Sequence, residues 1–144
     1  MVLQVFGKVI LCIGDTLGQH LWGGFKEGVG GSFQKCRTCY CLFDPMQAHF
    51  CESLFVLRTK EKYDKECTQI ENVSSASAKK DLKKIYGINL RSPLCQLPDF
   101  DVTSQLPQDV MHTMLEGVVQ YELRLILLHY LNNNTFTLID RYNH

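Results

Sequence analysis

Neither sign of charge predominates in this chain: fifteen lysines and arginines stand against fifteen aspartates and glutamates, and the net charge is zero. A free-standing nucleic-acid binder is usually basic, so the charge balance lends that role no support. No apolar run approaches the roughly 20 residues needed to cross a bilayer. The N-terminal stretch has no small-residue cleavage site and is interrupted by Gln4 and Lys8, so it does not read as a signal peptide. An even cysteine count is missing as well. There are seven, and without a secretory signal the odd number favours a reducing compartment with thiols or a metal over a disulfide framework. Internal repeats are absent. What is present suits one ordinary domain: 144 residues, 45% of them hydrophobic, enough to bury a core.

In chain order, Val5-Phe6 and residues 9–13 are rich in β-formers and read as strand. The second run is apolar on consecutive residues, as in a strand covered on both faces. It runs into Gly14-Asp15-Thr16, an acid at a strand end followed by turn chemistry. A catalytic carboxylate fits there, because the strand fixes it and the loop exposes it; so does an ordinary turn Asp. Residues 17–27 read as a short helix broken by Gly23 and Gly24, and residues 28–31 as a glycine-rich joint.

Cys36 and Cys39 form a C-x-x-C, the spacing that lets two thiolates reach one tetrahedral zinc from a tight turn. Lys35 and Arg37 are expected to lower the thiol pKa values. A closed zinc site needs two more ligands, for which Cys41, His49 and Cys51 are the nearest candidates; the alternative is a set of free buried cysteines. Residues 58–71 and 75–86 read as two charged surface helices, with Ser75 or Ser77 as N-cap of the second and Gly87 as its stop. Their lysines could touch phosphates, or simply form solvated faces among Glu61, Asp64, Glu66 and Asp81. Residues 88–105, with Pro93 and Pro98, form a connector.

A long helix is expected from Leu106 and Pro107, since proline suits a first helical turn. Asp109 then meets the positive end of the helix dipole. Met111, Met114, Val118, Tyr121, Leu125 and Leu128 make an apolar seam destined for a core. Asp109, His112, Thr113, Glu116 and Gln120 fall on the other side. Asn132 and the asparagines after it end the helix, and Phe136, Leu138 and Ile139 follow without an evident partner.

Three features stand in fixed order: Gly14-Asp15, the C-x-x-C of Cys36 and Cys39, and Asp109-x-x-His112 on a helix. That order resembles the core of cut-and-paste DDE transposases, most closely the CACTA-like (EnSpm) group and its transposon-derived relatives. Local wording is similar too, in Ile13-Gly-Asp-Thr-Leu-Gly, Val56-Leu-Arg-Thr-Lys-Glu and Asp109-Val-Met-His-Thr-Met-Leu-Glu-Gly-Val. The resemblance covers roughly residues 5 to 131 and implies a partial ribonuclease-H-like core: an α/β, helix-dominated fold with a short sheet remnant and a helical insertion. Residues 1–31 would carry the second catalytic-type Asp, 32–105 the cysteine-containing insertion, and 106–144 the D-x-x-H helix.

By this resemblance Asp15 would hold a divalent cation, Mg²⁺ or Mn²⁺. Asp109 and His112 would match the C/D-x-x-H signature, with His112 facing phosphate, and Cys36 and Cys39 would bind zinc. DNA is the implied partner and the nucleus the implied location. The first carboxylate of the family should lie upstream of Asp15, yet no acid precedes it here, and the third, a Glu well downstream of the D-x-x-H helix, has no convincing match before His144, since Glu116 belongs to that helix. The resemblance therefore implies the middle of a transposase, inactive as it stands. In the core of such an enzyme, Asp15 and His112 would lie on one side of the molecule, on the order of 10 Å apart if metal spacing sets the scale. The rival reading is a small zinc-stabilised interaction module built on Cys36, Cys39 and two of Cys41, His49 and Cys51. A third is an open reading frame without a stable fold.

Overall fold

In a computed structural model describing residues 7–27, 31–49 and 51–132, helices dominate. The chain falls into two units, Met1–Pro107 and Gln108–His144. The expectations for Val5-Phe6, for the joint at residues 28–30 and for residues 133–144 lie outside the described residues.

In the first unit the helices are α1 (Thr16–Trp22), α2 (Phe43–Ala48), α3 (Lys60–Asn72) and α4 (Ala76–Tyr86), with 3₁₀ turns at Glu52–Leu54 and Pro93–Gln96. Three starts are set by side-chain caps. Asp15 accepts from the Gly18 amide, Thr59 from Lys62 and Ser75 from Ala78, each satisfying an amide that has no partner in the first turn. The two central helices thus form close to where the sequence puts them. Gly87 ends α4 at φ 70, and a Cβ there would meet the Gln34 carbonyl oxygen at 2.0 Å. Only glycine combines that backbone with that approach.

The core packs beneath α3, whose inward face carries Tyr63, Glu66, Cys67 and Ile70. Phe25, Ile88, Phe100, Val102 and Leu106 close over it. Tyr63 is fully buried, and its hydroxyl donates to the Gly23 carbonyl at 2.8 Å while accepting from the Ser92 amide at 3.0 Å. One phenol thereby joins α3, the end of α1 and the segment after α4.

Residues 9–13 do not form the expected strand. Among the described residues, β pairing is limited to two antiparallel bridges, Phe25 with Ile88 and Cys39 with Leu57. The Cys12 amide donates to the Gln105 carbonyl at 3.0 Å and the Gln105 side chain to the Ile10 carbonyl at 2.8 Å. Two tethers to one residue are not a ladder, and Val9, Ile10, Leu11 and Ile13 stay exposed.

The second unit begins with a π-helical segment, Met111–Val118, in which the Val119 amide reaches the Met114 carbonyl, and continues as α5 (Val119–Asn132). Pro107 is not in its first turn. It belongs to the first unit, where the buried Arg37 donates to the carbonyls of Leu106 at 3.2 Å and Pro107 at 2.9 Å. The seam residues Met111, Met114, Val118, Tyr121, Leu125 and Leu128 are exposed, and so are Leu123, Ile126 and Leu127. Among the described residues no helix is long and apolar enough to cross a membrane.

Candidate functional site

The cysteine loop is held by one arginine from two directions. The Arg58 amide donates to the Thr38 carbonyl at 2.8 Å, and its Nε donates to the Cys36 carbonyl at 3.0 Å. A third bond, from the same guanidinium to the Tyr86 carbonyl at 2.8 Å, fixes the loop to the end of α4. Arg58 itself is buried, stacked 4.5 Å from the Tyr40 ring and paired with Glu66.

Within this loop the thiols differ. The Thr38 hydroxyl lies 3.1 Å from Cys36 Sγ. Burial acts to raise the Cys36 pKa, but hydrogen bonds from Thr38 and Cys39 outweigh it and hold the thiol below its usual range. Cys39 is pushed up to about 12 by burial and by its hydrogen bond and charge interaction with Cys36. Cys41 is raised by burial and then by the Cys36 charge. The loop therefore sets Cys36, the more readily ionised thiol, beside a Cys39 that stays protonated.

The lowering at Cys36 owes more to Thr38 and Cys39 than to the flanking bases. Lys35 lies over the Phe43 ring at 4.4 Å, and Arg37 is turned to the Leu106 and Pro107 carbonyls. The other candidate zinc ligands have different partners: Cys41 donates to the Leu42 carbonyl at 3.1 Å, Cys51 pairs with Ser53 at 3.0 Å, and His49 packs edge-on to Phe55. Among the described residues, no group of three or more His, Cys, Asp or Glu side chains is arranged to hold a metal. Cys36 and Cys39, hydrogen-bonded to each other, supply two of the four ligands a tetrahedral zinc takes.

Asp15 sits on the same unit as a helix cap. One carboxylate oxygen accepts from the Gly18 amide at 2.6 Å, and the Gln19 side chain loops back to donate to the Gly14 carbonyl at 2.7 Å. Asp15 is exposed, so its second oxygen faces the chemistry of the surface rather than a packed core. One carboxylate does not by itself build a two-ion site.

Asp109 and His112 do come together, within the second unit. Asp109 Oδ1 accepts from the amides of Met111 at 3.1 Å and His112 at 3.4 Å, while Oδ2 contacts His112 Nδ1. Glu116 approaches the other ring nitrogen at 3.9 Å. Burial acts to raise the Asp109 pKa; the side-chain and backbone hydrogen bonds of His112 prevail and lower it. The D-x-x-H spacing thus makes a carboxylate–imidazole pair that also caps the helix.

Thr38 and Arg58 matter to this geometry and were not singled out by the sequence. Thr38 sits inside the C-x-x-C itself, so its hydroxyl was a readable signal. Arg58 carried none, since an arginine opening a charged helix reads as solvated. Compared with family models, curated proteins and solved structures, the chain gives no match.

Proposed function

We propose that this chain is the central part of a DDE-transposase-like catalytic domain, with a ribonuclease-H-like ancestry, and that it does not cut DNA by itself. The reading rests on the ordered motifs, and the observation that supports it best is the contact between Asp109 and His112 at the start of a helix. With Asp109 on Nδ1, the imidazolium form carries a second N–H on Nε2, the type of donor a phosphate oxygen accepts from, in competition with Glu116 at 3.9 Å. The π turns around the pair fit a functional helix, since such turns concentrate at sites of function.

Cleavage by this class needs two Mg²⁺ or Mn²⁺ ions ~3.5–4 Å apart, clamped by several carboxylates. Asp15 offers one, and no described cluster offers three. DNA as partner and the nucleus as location follow from the ancestry. The test is to incubate the purified chain with duplex DNA and Mg²⁺ or Mn²⁺. No nicking or joining is expected; metal-dependent cleavage that vanishes in Asp15→Ala would overturn the inactive reading.

A further inference from the structure

Between α3, α4 and the segment after them lies a cavity of about 170 Å³. Its floor is apolar, made by Cys67, Ile70 and Ile88, all nearly inaccessible to solvent. Its rim carries three cations, Lys79, Lys83 and Arg91, and one carboxylate, Glu71, which is taken up by Arg91. The Arg91 charge is already matched: its guanidinium donates to Glu71 at 3.0 Å and to Asp64 at 2.8 Å. The two lysines differ from it. They are one turn apart on the same face of α4, both half-buried, and neither has an ion-pair partner among the described residues.

A half-buried lysine lays its stem along apolar surface and keeps its ammonium at the edge, where it is available to an anion. Here two such lysines stand at the mouth of one apolar hollow. An engineered apolar cavity of roughly 150 Å³ holds one benzene molecule, so this hollow accommodates a single ring or a short branched chain. Inorganic anions would leave the apolar floor wet, and neutral hydrocarbons would leave the two charges unmatched. We infer that the cavity binds a small organic monocarboxylate, with its apolar body on Ile70 and Ile88 and its carboxylate between Lys79 and Lys83. This site is independent of the transposase reading, because it uses none of Asp15, Asp109, His112 or the cysteine loop.

Benzoate is the probe, titrated into the whole chain while the Ile70 and Ile88 methyl resonances are followed. Saturable shifts at both methyls are expected. Binding should weaken about tenfold or more in Lys79→Gln with Lys83→Gln, the loss of charged hydrogen bonds, and in wild type when benzyl alcohol replaces benzoate. Lys80→Gln, on the same helix but off the cavity, should leave affinity unchanged, and glutamine keeps the helix propensity of lysine. Absence of saturable binding, equal affinity for benzyl alcohol, or affinity indifferent to both lysines would overturn the proposal and leave the hollow a packing void.

Discussion

The Arg58 guanidinium and the Glu66 carboxylate lie 3.5 Å apart with side chains 0% and 7% exposed. Tyr40 adds a hydroxyl donated to the same carboxylate at 3.3 Å. Burial nevertheless dominates at Glu66 and raises its pKa above the ordinary 4.5, with Arg58 and Tyr40 acting the other way. The pair therefore holds the cysteine loop at a desolvation cost, and its value lies in placement as much as in energy.

Arg58→Ala should destabilise the first unit by about 3–5 kcal/mol, since it strands a buried carboxylate and releases the Cys36 carbonyl. Urea unfolding measures this. The sign of the pH dependence follows from the raised Glu66 pKa. Above pH 4.5 the folded state keeps a proton that the unfolded state loses, so the Glu66 contribution to stability falls as pH rises through the folded value. Glu66→Gln should remove that slope; an unchanged slope would assign it to another group.

Cys36 should be alkylated at lower pH than Cys39. Iodoacetamide with peptide mapping separates them from Cys51, which is exposed and lowered by Ser53. Thr38→Val should raise the pH at which Cys36 reacts, because it deletes the hydroxyl beside the sulfur. Faster labelling of the buried Cys39 would contradict the asymmetry. Zinc binding should be weak, and one tightly held ion that survives Cys36→Ser would show that these thiols are not its ligands.

Asp109→Ala should weaken the start of the second unit, since it removes the acceptor of the Met111 and His112 amides, and lower its helical circular dichroism. Acid should act alike. Because His112 holds the Asp109 pKa below the ordinary 3.8, the cap persists at pH 3.8 and is lost as pH falls through the lower folded value. Amide shifts of Met111 and His112 that titrate above pH 3.8 would oppose this.

The two central helices were legible because their signals are local. Ser75 and Gly87 bracket α4 within a dozen residues, and the charged run marks α3; but α3 is no surface helix, because Tyr63, Glu66, Cys67 and Ile70 are buried, Glu66 by pairing with Arg58. The strand over residues 9–13 was misread because β pairing needs a neighbour, and what those residues meet is Gln105, more than ninety positions away. Pro107 was misread for a similar reason: Arg37 claims its carbonyl from 70 residues upstream. At the site, the Asp109–His112 pair was readable from i, i+3 spacing alone. The burial of Arg58 depends on Glu66, Tyr86 and Cys36 meeting around it, which no periodicity announces.

The transposase reading has its most direct test in the genome, in the DNA on both sides of the coding sequence. A catalytic domain of that kind requires an acidic residue at a strand end before Asp15 and a glutamate on a helix beyond Asp109-x-x-His112. The account predicts that both are encoded there, in frame or in a decayed frame. Flanks that encode neither in any frame would contradict it.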